Sequence, residues 1–251
     1  MTVHTLRIMD DHHLSELVPL PERGRVFTGS ARVRLADVSP SGRMRLDALA
    51  RWIQDVSYDD MEDAGMTGLA MWVIRRMRIK VARFPRFAES FRLHTFCSGL
   101  GRMWAERRVS ITAADSPEAA VEAVTLWVHL DPSGHRPVPL LGPELDTFSE
   151  STGGRRVTAR LRHPRPREVK DKRRWRFRHT ERDVLGHVNN CAYLEPLEEE
   201  LLSDGPEPEQ LDVEIEFRTA AQPGEKLVLQ DGRWRWIVSG DETHASIVLG
   251  R

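Results

Sequence analysis

A carboxylate, an imidazole and two carboxamides stand together in Asp183-Val184-Leu185-Gly186-His187-Val188-Asn189-Asn190. Tyr193, Leu194, Leu197 and Leu201 follow at helical spacing, so this segment reads as a turn that opens a helix. A helix start presents unpaired N–H groups and the positive end of the dipole. Donors of that kind stabilise an oxyanion, and the backbone N–H groups of Gly186 and Val188 are the candidates. Asp183 or His187 could activate or orient a water. These are the parts needed to hydrolyse an activated acyl group. Asn189 or Asn190 is equally suited to capping the helix.

The elements that must position this turn occur twice. In the first half, residues 26–36 alternate apolar and polar side chains as a strand does. A turn at 37–42 follows. Leu46, Leu49, Ala50, Ile53 and Val56 then mark one face of a helix over 45–63, ended by Gly65. Residues 72–81, 90–97, 103–112 and 120–130 read as four antiparallel strands separated by Gly and Pro turns. In the second half, a strand at 175–179 precedes the Asp183 turn and a helix over 190–203. Strands at 213–217, 226–230, 233–238 and 244–249 complete the set. One α+β unit of about 125 residues, used twice, is the economical reading. The counterpart turn at 37–42 has no His. Glu195, Glu198, Glu199 and Glu200 are expected to form a solvated helix face.

Composition bounds the function classes. Of 251 residues, 40% are hydrophobic and 30% charged, with 17 Gly, which fits a folded chain rather than a disordered one. Two cysteines, Cys97 and Cys191, cannot build a disulfide framework or a four-thiolate zinc site. No His or Cys spacing suggests a metal, and no cofactor is expected. The first sixteen residues lack a signal-peptide core, and His12-His13 reads as tail. No apolar run approaches the roughly 20 residues of a membrane span, so a cytoplasmic protein is expected.

The net charge of −1 hides an asymmetry. Residues 155–178 carry twelve Lys or Arg against only Glu168 and Asp171. A block this dense suggests either an acidic partner or a solvated linker. Its single aromatic pair, Trp175 and Phe177, is too sparse for a nucleic-acid stacking platform.

The pattern Asp183-x-x-Gly186-His187-Val188-Asn189-Asn190-x-x-Tyr193 resembles the active-site turn of hot-dog-fold thioesterases. Gly42-Arg43-Met44-Arg45-Leu46-x-x-Leu49, Gln54-Asp55, the run from Trp72 to Ile79, Phe84-Pro85-Arg86 and Leu126-Trp127-Val128-His129-Leu130-Asp131 resemble the acyl-acyl-carrier-protein thioesterase family in its order. The likeness spans roughly 25–140 and 173–230. Plant-type members carry Asp-x-Asn-x-His in the turn. Asp183 and His187 match, while Leu185 stands at the Asn position. A family Glu and Cys fall at Ala220 and Ala221, and a family Trp at Pro196, where a kink or short segment is expected.

The resemblance implies a tandem double hot-dog: α+β, two long helices each wrapped by an antiparallel sheet. It implies residues 1–24 as a tail, 25–131 as an N-terminal hot-dog holding the acyl chain, and 132–172 as a Pro/Arg-rich linker. Residues 173–251 would form the catalytic C-terminal hot-dog. The implied reaction is hydrolysis of fatty acyl-acyl carrier protein (ACP), with Asp183, His187 and Asn189 as catalytic candidates and Trp72 as a wall of the acyl site. Acidic ACP would dock on Arg165, Arg167, Lys170, Lys172, Arg173 and Arg174. An acyl-CoA thioesterase and a non-hydrolytic acyl-ACP binding protein are the alternatives, and the chain could be a monomer or a homodimer.

Overall fold

The computed structural model describes residues 14–68, 71–114, 116–133, 136–203 and 205–250; His12-His13 and most of the expected tail lie outside them. The first half contains strand β1 (Phe27–Arg32), helix α1 (Leu46–Asp63) and strands β2 (Met71–Val81), β3 (Ser90–Leu100), β4 (Trp104–Ala113) and β5 (Ala119–Leu130). A short helix α2 (Gly142–Phe148) follows. The second half contains β6 (Asp171–Phe177), α3 (Glu195–Ser203), β7 (Leu211–Phe217), β8 (Gly224–Asp231), β9 (Trp234–Ser239) and β10 (Glu242–Leu249).

All ten strands form one antiparallel sheet in the order β1-β3-β4-β5-β2-β7-β10-β9-β8-β6. Read inward from its edge, the second half runs β6, β8, β9, β10, β7. That is the order of the first half, strand for strand, with the helix at the same place in the chain. The halves join where β2 pairs with β7, from Arg76↔Glu216 to Val81↔Leu211.

Period-2 alternation on β7 puts Val213, Ile215 and Phe217 in the apolar core. Glu214 and Glu216 therefore face the other side of the sheet. They are buried there by two segments laid across the seam. Ser15 N–H donates to Glu214 at 2.7 Å, and His163 Nε2 lies 3.2 Å from Glu214. The N–H groups of Arg162 and His163 donate to Glu216 at 2.6 and 3.0 Å. Residues 14–18 are thus fastened to the sheet rather than loose as a tail.

The apolar core of the first half is built on α1. Leu46, Leu49, Ala50, Ile53 and Val56 are buried at i, i+3, i+4, i+7 spacing. Asp60 continues that face and is fully buried, paired with Arg107 and, at 2.6 Å, with Arg25.

Several elements differ from expectation. The 26–36 strand ends at Arg32, because Asp37 accepts the Arg34 N–H and turns residues 35–37 into a 3₁₀ turn. The helix over 190–203 is divided into a 3₁₀ turn, Asn190–Leu194, and a nine-residue α3. Pro196 is the second residue of α3, where its missing N–H costs nothing. The glutamates of α3 do not form a solvated face. Glu198 and Glu200 are buried against Arg43 and Arg235, and only Glu199 is exposed. The stretch at 132–172 is not all linker, since α2 lies within it and β6 begins at Asp171. No described helix is long and apolar enough to cross a membrane.

Candidate active site

The Asp183 turn is tied by backbone hydrogen bonds at each of its corners. Asp183 N–H donates to the His187 carbonyl, and Gly186 N–H to the Asp183 carbonyl, both at 2.9 Å. Val188 N–H reaches the Ala221 carbonyl at 3.0 Å, and Asn189 N–H the Glu181 carbonyl at 2.8 Å. Gly186 sits at φ +79°, a conformation that L side chains rarely adopt. The Ala221 N–H in turn donates to the Tyr193 hydroxyl at 2.7 Å. Burial pushes the Tyr193 phenol up to about 12, despite the Ala221 contact, so it remains protonated.

The first half repeats this turn bond for bond. Ser39 N–H donates to the Arg43 carbonyl, Gly42 N–H to Ser39, Met44 N–H to Pro85 and Arg45 N–H to Asp37, at 2.8–2.9 Å. Gly42 has φ +83°. Ser39 therefore stands where the second turn has Asp183, and Arg43 where it has His187. Arg43 is buried and paired with Glu198 at 2.5 Å and Glu207 at 2.6 Å. The Ser39 hydroxyl also donates to Glu207 at 2.7 Å. The first turn is thus an ion-paired plug against α3.

The second turn faces a cavity instead. An apolar pocket of about 310 Å³ is lined by Met61, Met66, Trp72, Cys97, Leu100 and Phe148, among others, all from the first half and α2. Val184 and Leu185 of the second-half turn also line it. Val184 is fully exposed, and Tyr58 and Leu185 are partly so, which marks these three as the mouth. The Asp183 turn of one half thus opens onto an apolar cavity made largely by the other.

Within the turn, Asp183 is half-buried and His187 exposed. Asp183 Oδ1 accepts the Leu185 N–H at 2.9 Å, leaving Oδ2 without a partner among the described residues. Asn189 Oδ1 accepts the Cys191 N–H at 2.9 Å and caps the 3₁₀ turn. Gln54 of α1 brings its Nε2 to 3.4 Å from Asn189 Oδ1, and its own Oε1 is buried without a hydrogen bond.

Gly186 and Val188 do not offer free donors, because both N–H groups are committed to the carbonyls named above. The N–H groups of Val184 and His187 make no hydrogen bond among the described residues. Trp72 lines the cavity. Cys97, remote from the turn in sequence, lines the same cavity. Burial, partly offset by Arg107, pushes its thiol up to about 11. Cys191 is also pushed up by burial. Ala221 is buried behind the turn, while Ala220 is exposed. Glu144 and Phe148 were not legible as lining residues, because no periodicity brings α2 to this cavity; Met61 and Met66 come to it from the last turn of α1 and the segment that follows.

The basic segment is split by β6. Arg165, Arg167, Lys170, Lys172 and Arg174 are exposed near its start. Arg173 is half-buried and donates to the Pro196 carbonyl at 2.5 Å, which gives it a structural task. Arg178 and Arg182, exposed, flank the turn at the other end of β6, roughly 20 Å along the strand.

Residues 24–144 match the model of the acyl-ACP thioesterase N-terminal domain. An uncharacterized protein of Mycobacterium tuberculosis is 25% identical over 241 residues, covering 94% of this chain and 96% of its own. The fold is that of hot-dog-like thioesterases. An acyl-ACP thioesterase of Bacteroides thetaiotaomicron superposes with a TM-score of 0.71 at 16% identity, covering 89% of this chain and 96% of that one. The 12:0-ACP thioesterase of Umbellularia californica does so with the same score and identity, covering 90% and 97%.

Proposed function

The chain belongs, through residues 24–144, to the acyl-acyl-carrier-protein thioesterase family, and from that premise we propose that it hydrolyses the thioester of a fatty acyl chain carried by ACP. One observation carries this reading. Val184 and Leu185, inside the turn that holds Asp183 and His187, line the apolar cavity of the first half. In this reading the chain is a tandem pair of hot-dog units, one holding the acyl chain and the other doing the chemistry.

The apolar tail lies among Met61, Met66, Trp72 and Phe148, which places its carbonyl at the mouth beside the turn. Asp183, fixed by the Leu185 N–H through Oδ1, holds a water through Oδ2 and takes its proton as the oxygen attacks the carbonyl carbon. The His187 N–H stabilises the oxyanion. The carbon–sulfur bond breaks, the proton taken up by Asp183 passes by way of His187 to the leaving thiolate, and the products are a free acid and a thiol. Gln54 and Asn189 hold the carbonyl side of the site. ACP approaches the exposed basic residues Arg165, Arg167, Lys170, Lys172 and Arg174. Their field falls off over about 8–10 Å at physiological salt.

The binding-protein reading has its own support. Asp183 is half engaged by its turn, and Ala220 and Ala221 stand where family members carry polar groups. Thiol release from one acyl group, presented on ACP and on CoA, separates the readings. Release from ACP at the higher kcat/KM supports the proposal. Higher kcat/KM on CoA assigns the acyl-CoA reading, and tight binding without release assigns the binding protein.

A further inference from the structure

Arg107 of β4 is the basic residue among those lining the apolar cavity, and only 7% of it is exposed. A guanidinium is costly to bury unless its donors are met. Its Nη1 donates to Asp60 and, at 3.3 Å, to the Thr95 hydroxyl. Nε and Nη2 make no hydrogen bond among the described residues, and neither is sealed in. These two atoms form one edge of the guanidinium, the fork that matches a carboxylate. Elsewhere in this chain the same edge takes one. Arg45 spends it on Asp47 at 2.9 and 3.0 Å, Arg78 on Asp212 at 2.9 and 2.7 Å, and Arg235 on Glu200. Arg107 lies in mid-sheet, with β4 between β3 and β5, so the open space beside its fork is the cavity that it lines.

The charge nearby favours an anion. Asp60 is fully buried and divided between Arg107 and Arg25. Glu144, the other charged lining residue, is engaged by its surroundings. Its Oε2 accepts the Leu141 N–H at 2.7 Å, and its Oε1 is enclosed, 3.3 Å from His129 Nε2. Arg107 also stands away from the mouth. Phe148 lies over the face of its guanidinium at 5.3 Å, and Cys97 is its partner across the β3–β4 ladder. Both are buried, whereas Tyr58, Val184 and Leu185 at the mouth are exposed. A chain that enters by the mouth brings its far end to Arg107. We propose that Arg107 is a carboxylate subsite at the inner end of the cavity, and that the cavity takes an acyl chain ending in a second carboxylate, as in the half-thioester of an aliphatic dicarboxylic acid. The inference rests on the acyl-binding reading of the cavity and names a substrate class that the thioesterase reading alone does not specify.

Size sets the probe. At about 30 Å³ per water-sized group, a cavity of this volume takes about ten such groups. The full chain is titrated calorimetrically with the monomethyl ester of octanedioic acid and with methyl octanoate. The ester stands for the thioester end in both, and only the first has a carboxylate to send inward. The half-ester should bind about tenfold or more tighter. In Arg107→Lys, an ammonium keeps the charge opposite Asp60 but has no fork. The preference should then fall to within about threefold, with circular dichroism reporting the fold. In thiol release by the parent protein, 7-carboxyheptanoyl-CoA should show a higher kcat/KM than octanoyl-CoA.

If methyl octanoate binds and the half-ester binds no tighter, the subsite is refuted while the acyl cavity stands; this comparison needs no variant. A preference that survives in folded Arg107→Lys also refutes it, because the carboxylate is then read elsewhere. If neither thioester is cleaved while the half-ester preference holds and is lost in Arg107→Lys, the hydrolytic reading falls and the subsite stands. If the folded protein binds neither ester, the acyl reading of the cavity falls and this inference falls with it.

Discussion

Replacing Arg43 by Met tests whether the first turn has exchanged chemistry for structure. The Arg43 side chain is 2% exposed and paired with Glu198, itself 4% exposed, and with Glu207, which is 20% exposed. Without the guanidinium, Glu207 can turn to water, whereas Glu198 is left as an unpaired buried charge. Breaking such a pair costs about 3–5 kcal/mol. At about 2–4 °C per kcal/mol for a chain near this size, the unfolding midpoint should drop by roughly 6–20 °C. Removing both charges, in Arg43→Met with Glu198→Leu, should recover most of that loss. The Leu46 N–H, which donates to Glu198 at 3.0 Å, still loses its acceptor, at about 1 kcal/mol. Circular dichroism melts give the stabilities, and thiol release at 25 °C, with both variants folded, gives the activity. kcat/KM should stay within about twofold of the parent. A midpoint unchanged in the single variant would refute the ion-pair argument. A tenfold fall in kcat with an intact fold would show that the first turn does chemistry.

Asp183→Asn should lower kcat by about 10²–10⁴ with little change in acyl affinity, His187→Ala should do likewise, and the double variant should be far from additive in single-turnover thiol release. Charge reversal at Arg167 and Arg174 should raise KM for acyl-ACP more than it lowers kcat, with a weaker dependence on salt; Arg173 is left intact because it holds the Pro196 carbonyl. Burial alone would push the Glu214 carboxyl up, but hydrogen bonds from His163 and Ser15 outweigh it and hold it at about 2. Its folded value is therefore depressed, so its contribution of about 3 kcal/mol is present above pH 4.5 and lost as pH falls towards 2. Glu214→Gln should flatten that acid limb in denaturant melts. Cys97, with its thiol at about 11, should alkylate slowly at pH 7.5 and more slowly still with decanoic acid bound, as read by mass spectrometry.

Periodicity made the helices and strands legible, because each amphipathic face repeats within a few residues. Leu46, Leu49, Ala50, Ile53 and Val56 name the buried face of α1 before any coordinate is consulted. The duplication was legible as element order, but its depth was not. Ser39 and Asp183 share no chemistry, yet their turns make the same four backbone bonds. Backbone geometry survives substitution as long as Gly42 and Gly186 supply the positive φ. Free N–H groups were misread for the same reason. A residue's place at a helix start suggests an unpaired donor, but the Ala221 carbonyl in the loop between β7 and β8 and the turn's own Asp183 carbonyl capture Val188 and Gly186. The burial of Glu198 and Glu200 was hidden because their partners, Arg43 and Arg235, lie 155 and 35 residues away.

The proposed division of labour follows from one asymmetry in a repeated unit. Each turn reaches across to the helix end of the opposite half, since Pro40 and Ser41 line a polar groove with Leu202 and Glu207 of the second half. Val184 and Leu185 meet the corresponding end of α1. Arg43 lines the first of these places and sets a buried charge there, paired with Glu198 and Glu207. At the second, His187 is exposed and Val184 and Leu185 are apolar, so nothing enters from the turn. That place stays open, and Met61, Met66 and Phe148 give it an apolar lining. A cavity needs a turn that does not plug it, and a catalytic turn needs a cavity to present its substrate. In a chain of two such units, converting one turn into a clamp secures the two halves to each other through Arg43 and Glu198. It leaves the other turn free to keep a half-buried carboxylate beside the mouth of the open cavity, which is the arrangement the proposed hydrolysis requires.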